Sequence, residues 1–253
     1  MSQPKALIFD VDGTLADTEG NGHRVAFNKA FREEGLDWHW DVATYGKLLA
    51  VTGGKERIRY FMDVYRAEFD RPANLDALIR KLHHSKTRHF VNLLNSGAIR
   101  LRPGVRRLLL EARARRLKLA IATTTTCQNV TTLLSATLGR ESIGWFDVIS
   151  AGDVVAQKKP APDIYIHALK HMGLAASDCI AFEDSDNGLL SAINAGIKTI
   201  VTINAYTQRQ DFAGALLVLD QLGEPDSAFT VLQGDARDAT YVDISLINTL
   251  YEA

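Results

Sequence analysis

Short apolar runs alternating with helical patterns constrain this chain more than any other feature. The runs are Ala6 to Phe9, Leu117 to Ala122, Phe146 to Ile149, Cys179 to Phe182, Thr199 to Val201 and Leu216 to Leu219. Each is stopped by polar residues or glycine, as buried strands are. Between most of them lie residues spaced along one helix face: Val105, Leu108, Leu109 and Ala112; Val130, Leu133 and Leu134; Ile164, Ala168, Leu169 and Met172 before Gly173; Leu189, Ala192 and Ile193 before Gly196. Such alternation predicts an α/β fold, a doubly wound parallel sheet covered on both faces.

From about residue 18 to 97 the strand signal vanishes. Ala26, Phe27, Ala30 and Phe31 form one helical face, Ile58, Phe61, Met62 and Tyr65 a second, and Leu75, Leu78, Ile79 and Leu82 begin a third. One strand precedes this stretch and all the others follow it. Residues 1–17 and 98–253 are therefore expected to form the sheet domain, with 18–97 an inserted all-helical cap over the carboxyl end of the first strand, where open α/β sheets hold ligands. Residues 225–253 carry turn residues and a mildly apolar end, assignable only to packing.

The 253 residues, 46% of them hydrophobic, suffice for a large core and a smaller companion. With 29 basic and 30 acidic residues and no long block of either sign, a nucleic-acid partner is not expected and a small ligand is. Cys127 and Cys179 have no metal spacing, which predicts free thiols. No run approaches the ~18 apolar residues of a membrane span, and Ala6 to Phe9 is too short for a signal peptide. A cytoplasmic monomer without membrane contact is the expectation.

Four polar clusters sit where strands end. Asp10-Val11-Asp12-Gly13-Thr14 closes the first, and a spacing of two in extended chain turns both carboxylates to one side. Paired acids suit a hard, oxygen-liganded Mg²⁺ with one acid left as nucleophile; an Asp-Gly turn with solvated acids is the competing reading. Thr123 to Thr126 offer hydroxyls and backbone donors to a phosphoryl group, or merely cap a helix. Lys158-Lys159-Pro160-Ala161-Pro162-Asp163 could hold a lysine against a phosphate, with Asp163 capping a helix from Ile164, or be an exposed basic turn. Glu183-Asp184-Ser185 adds acids that could complete a Mg²⁺ site with Asp10, while Ser185 starts the next helix.

In this order, and with a helical insert after the first, these motifs resemble the haloacid-dehalogenase superfamily of phosphatases and phosphomutases, over nearly the whole chain. The resemblance implies a Rossmann-like core with a helical cap and an aspartyl-phosphate mechanism. Asp10 is then the nucleophile and Asp12 the general acid and base, while Thr123 and Lys159 hold phosphoryl oxygens. The Asp10 carboxylate, the Asp12 carbonyl and Asp184 become Mg²⁺ ligands with Glu183 in support. A halide leaving group needs no proton, and superfamily members with that chemistry lack the second Asp, so Asp12 argues against dehalogenation.

A further loop, Thr52-Gly53-Gly54-Lys55-Glu56-Arg57, puts two glycines and two cations at a helix start, as a second phosphate site would; a Gly-rich turn with a surface ion pair is the alternative. With Asp17-Thr18-Glu19, His23-Arg24, Thr123-Thr124-Thr125 and Ala151-Gly152-Asp153, it is similar to the CbbY-type sugar-bisphosphate phosphatases. These remove the 1-phosphate of xylulose-1,5-bisphosphate, a Rubisco inhibitor, in organisms running the Calvin cycle. On that resemblance Gly53, Gly54, Lys55 and Arg57 hold the uncleaved phosphate, Glu19 and His23 line the sugar, and Thr14, Thr124 and Thr125 complete the substrate site. A solvent-facing histidine competes for His23, and Glu19 to His23 runs one residue longer than in some relatives. The alternatives are a β-phosphoglucomutase-like phosphomutase, a phosphoglycolate phosphatase and, more remotely, a non-catalytic phospho-receiver module, against which the cap and Asp12 argue.

Overall fold

A computed structural model describes residues 3–252. Seven strands make one sheet: β1 (Ala6–Phe9), β2 (Lys118–Thr123), β3 (Val148–Ala151), β4 (Cys179–Glu183), β5 (Lys198–Thr202), β6 (Leu217–Leu219) and β7 (Val231–Gly234). Their order is β3-β2-β1-β4-β5-β6-β7, parallel except for β7. Strand order reverses at β1, which pairs β2 on one side and β4 on the other, aligning Phe9 with both Ile121 and Phe182. A crevice at the carboxyl end of β1 follows from that reversal.

Period-two alternation divides the core. Leu7, Phe9, Leu119, Ile121, Ile180 and Phe182 face α5 (Val105–Ala114), α6 (Cys127–Leu138) and α9 (Ile244–Glu252). Ala6, Ile8, Ala120, Ala122 and Ala181 face α7 (Asp163–Met172) and α8 (Asp186–Asn194). The second face is mostly alanine, so α7 packs close to the sheet and the loop before it reaches the strand ends.

Between β1 and α5 lie α1 (Arg24–Glu33), α2 (Val42–Leu48), α3 (Gly54–Tyr65) and α4 (Leu75–Asn95). They enclose a separate aromatic core of Phe27, Phe31, Trp38, Trp40, Tyr45, Phe61 and aliphatic neighbours. Two antiparallel tethers join this cap to the sheet: Ala16 bridges Leu101, and Arg102 N donates to Leu15 O at 2.9 Å. The first tether ends in one turn of π-helix, Glu19–His23, in which His23 N donates to Thr18 O at 2.7 Å. An i→i+5 turn holds one residue more than an α-turn.

Several expectations need correction. The tail is not mere packing, since it supplies the antiparallel edge strand β7 and helix α9, and the sheet is therefore not wholly parallel. α2 went unseen because only Tyr45 and Leu48 of its seven residues are buried, too few to show a period. β3 begins two residues late, because Arg140–Trp145 form a 3-10 turn that delays the chain. Asp163 is the first residue of α7 rather than its cap; Pro162 occupies the cap position with no side-chain bond. Ser185 does cap α8, accepting from Gly188 N at 3.2 Å. Cys127 and Cys179 are both free, and among the described residues no helix is long and apolar enough to cross a membrane.

Trp40 centres the cap: it is fully buried, its ring meets Phe27, Phe31, Tyr45 and Phe61, and Asn28 bonds both its N–H and its carbonyl. Trp40→Ala is expected to cost about 3–5 kcal/mol in urea unfolding followed by far-UV circular dichroism. Trp40→Phe keeps aromatic packing and loses an indole N–H that has no partner, so its loss should be less than half as large.

Candidate active site

The carboxyl ends of β1, β2 and β4 deliver Asp10, Thr123, Glu183 and Asp184 to one buried spot. Backbone pairing of Asp10 N to Phe182 O at 3.0 Å carries the sheet register one residue into the site. The loop before α7 brings Lys159, whose Nζ lies 2.7 Å from Asp10 Oδ1 and 2.6 Å from Glu183 Oε1. Beneath it, Tyr165 donates to Glu183 Oε1 at 2.5 Å and offers its ring face to the ammonium. Two glycines are required by contact: a Cβ at Gly13, where φ is +90°, would stand 2.1 Å from Asp184 Oδ2, and one at Gly188 1.9 Å from Glu183 Oε2.

Three carboxylates here share one ammonium. Burial, outweighing the Lys159 charge and aided by Glu183, raises Asp10 to about 7. Burial with Asp10 and Glu183 raises Asp184 well above the ordinary range. Burial alone would lower Lys159, but Asp10 and Glu183 outweigh it and keep the ammonium charged. Ligand atoms of Asp10, Glu183 and Asp184 all lie within 4.8 Å of one another, and Glu183 Oε2 is buried without a partner. An excess of converging carboxylate oxygens with one orphaned acceptor fits a hard divalent cation.

Asp12 behaves oppositely. Its Oδ1 lies 2.8 Å from His23 Nε2 and accepts from Thr18 Oγ1 at 2.7 Å. Burial opposes ionisation, yet His23, Thr18 and Lys86 prevail and hold the carboxyl well below its usual range. Two neighbouring acids with their pKa values driven apart mark separate chemical roles. His23 is thus neither exposed nor idle: its ring lies on Phe90 with centroids 3.9 Å apart.

The cap supplies the facing wall. Glu19, His23, Gly53, Gly54, Arg57, His83 and Lys86 share one chamber with Asp10, Asp12, Thr123, Thr124, Thr125, Lys159, Glu183 and Asp184. Arg57 is fixed by Tyr45 Oη at 2.9 Å and by the carbonyls of Leu48 and Val51, and Tyr45 in turn donates to Glu19. Lys86, almost fully buried, lies over the rings of Phe27 and Phe90, and burial lowers it to about 8 despite Asp12 and Glu19. His83 is held neutral at about 3 by burial with Lys86 and Lys55.

Two expected substrate residues stand apart. Lys55 points to the cap's outer rim and pairs with Asp153 at 2.5 Å, an aspartate Lys158 also holds. Thr14 is buried beneath the loop with an unpartnered hydroxyl and does not line the chamber. Residues that sequence reasoning missed are Lys86, His83 and the core loop bearing Asn204, Tyr206, Thr207 and Gln210, with Tyr45 behind the wall holding Arg57 and Glu19. Lys86 did leave a trace, since it interrupts the apolar stripe Ile79, Leu82, Phe90 of α4. The loop after β5 has no periodic pattern to read.

Comparison with known proteins agrees with this architecture. Residues 4–196 match the haloacid dehalogenase-like hydrolases. The plasmid-encoded CbbY protein of Cupriavidus necator is 50% identical over 221 residues, 87% of each chain. The crystal structure of CbbY from Rhodobacter sphaeroides with phosphate superposes with a TM-score of 0.80 at 46% identity, covering 87% of this chain and 95% of that one. A D10N mutant of the same protein, in complex with xylulose-(1,5)bisphosphate, gives 0.80 at 45% identity over the same shares.

Lys159→Met would leave Asp10 and Glu183 buried without their cation, a loss of about 3–5 kcal/mol at neutral pH. Because Asp10 is raised above its unfolded value, its stabilising contribution is present in acid and disappears as pH climbs toward 7. The melting-temperature gap between wild type and Lys159→Met in chelator-treated buffer should accordingly widen from pH 5 to pH 8.

Proposed function

We propose that this chain, a phosphatase that belongs to the haloacid dehalogenase-like hydrolase family, removes one phosphoryl group from a sugar bisphosphate, xylulose-1,5-bisphosphate before others. The observation that carries this reading is a chamber with two cationic poles. Lys159 stands with Asp10 on the sheet side, and buried Arg57 and Lys86 stand on the cap side. A monophosphate needs only the first. The xylulose-(1,5)bisphosphate complex of the Rhodobacter sphaeroides relative supports the choice of sugar.

In this mechanism Asp10 attacks phosphorus and forms an aspartyl-phosphate as the sugar oxygen departs with a proton from Asp12. Water then attacks the phosphorus, giving its proton to Asp12 and freeing phosphate and Asp10. His23 and Thr18 hold this carboxyl ionised, which suits its role as base toward water, and the proton it then takes from water is the one it gives to the sugar oxygen in the next turnover. Thr123 and Lys159 hold phosphoryl oxygens. Asp10, Asp184 and the Asp12 carbonyl, with Glu183 in support, would hold Mg²⁺. When bound, the ion supplies the positive charge that lets carboxylate and phosphate approach. Arg57 and Lys86 bind the retained phosphate, and Glu19, held by buried Tyr45, faces the sugar hydroxyls. The cap screens the aspartyl-phosphate from bulk water.

Phosphate release from xylulose-1,5-bisphosphate, ribulose-1,5-bisphosphate, β-glucose-1-phosphate and phosphoglycolate, each with and without Mg²⁺, tests the reading. A strong Mg²⁺-dependent preference for the xylulose compound is expected; isomerised sugar phosphate without free phosphate would indicate a mutase. Asp10→Asn should lower kcat by roughly four orders of magnitude or more while circular dichroism is unchanged. Lys86→Met should raise KM for the bisphosphate by about 10–100-fold, one charge-assisted bond of about 1.5–3 kcal/mol, and leave a small monophosphate ester nearly unaffected. Since Lys86 loses its proton near 8, wild-type kcat/KM should fall as pH rises through that value, and the variant should lack this limb.

A further inference from the structure

Arg102 belongs to none of the four motifs and does not line the chamber, yet its guanidinium makes four bonds to main-chain carbonyls. Nη1 donates to Gly13 O and, at 2.9 Å, to Thr202 O; Nη2 donates to Ile203 O at 2.5 Å and to Asp220 O at 2.6 Å. These carbonyls come from the loop after β1 and from the ends of β5 and β6. A planar fork with five N–H donors can serve such divergent acceptors; an ammonium on a single point cannot.

The segments so joined bracket one carboxylate. Gly13 follows Asp12 and lies so close to Asp184 that no Cβ fits between them. Ile203 precedes Asn204, whose Nδ2 donates to Asp184 Oδ2 at 2.6 Å. Asn204 is itself set by its loop, its N–H donating to Thr207 Oγ1 and its Oδ1 accepting from Tyr206 N. The guanidinium thus sets the separation of the two walls between which Asp184 stands. The main chain of Arg102 is also the cap's returning tether, bonded to Leu15 O, so one residue ties tether, Asp12–Gly13 loop and Asp184 support together.

We infer that Arg102 is a positioning residue for the cation site, holding the Asp12 carbonyl and the Asp184 carboxylate at the separation a divalent ion requires. The inference rests on the cation and phosphatase reading above. Outer partners of metal ligands typically govern about 10–100-fold in affinity or activity, and Arg102 acts at one remove from two ligands at once.

The test is titration of the metal-free protein with Mn²⁺ alone, by calorimetry, beside steady-state kinetics at saturating Mg²⁺. Arg102→Met should weaken Mn²⁺ by about tenfold or more and lower kcat, while KM for the bisphosphate stays within about twofold because Arg57 and Lys86 are untouched. Arg102→Lys, which can reach only some of the carbonyls, should fall between the two. A lowered melting temperature with wild-type Mn²⁺ affinity and kcat would overturn the inference, leaving Arg102 a fold residue only. Should the Met variant not fold, Arg102→Lys decides alone, and unchanged Mn²⁺ affinity there overturns it equally. Asp184→Asn separates the two levels: if it binds Mn²⁺ like wild type, the cation site itself is misplaced. If it loses Mn²⁺ while both Arg102 variants keep it, only the role of Arg102 fails.

Discussion

One ammonium set among three buried carboxylates governs this structure. Lys159 bonds Asp10 and Glu183 directly, and it cannot neutralise Asp184 as well. Desolvated like charges at this density are tolerated only when each is held by several partners and some positive charge remains to be added. Tyr165 under Glu183, Asn204 on Asp184 and glycine at positions 13 and 188 are what that tolerance requires. The sheet meets the same demand: parallel strands buried on both faces end together, so their first loop residues converge without any long-range search.

The cap solves a different problem with different material. Its wall must expose cations to the chamber, and cations on a small helical insert need rigid backing. Phe27, Phe31, Trp38, Trp40 and Phe61 provide it, and the stem of Lys86 lies across Phe27 and Phe90 rather than in solvent. Arg57 is fixed by carbonyls at the end of α2 and by Tyr45. Acid chemistry therefore sits on strands, and charge recognition on helices.

The core was legible because its signals are local. β1, β2, β4, β5 and β6 are runs with clear ends, and three polar motifs directly follow the ends of β1, β2 and β4, so position carried Asp10, Asp12, Thr123, Glu183 and Asp184 to the same crevice, while Lys159, in the loop before α7, was placed there by the family resemblance. What escaped depends on contacts between distant segments. β7 is an exposed edge strand ordered chiefly by pairing with β6. Lys86 reads as a flaw in an apolar stripe until Asp12 and Glu19 are placed before it. Lys55, adjacent in sequence to two chamber glycines, turns outward because Asp153 of the sheet domain lies on that side.

The π-turn at Glu19–His23 joins these two regimes. Glu19 heads the turn and accepts from cap residue Tyr45, and His23 closes it on Asp12. A single wound segment therefore carries a chamber-lining carboxylate at one end and the histidine that contacts Asp12 at the other. Removing one residue would rewind it as an α-turn and rotate His23 by about 100° about the helix axis, uncoupling the histidine from Asp12 while barely moving Glu19. The Glu19–Tyr45 and His23–Asp12 contacts are in this way geared on one shaft, and sequence drift in the tether cannot retune one without shifting the phase of the other.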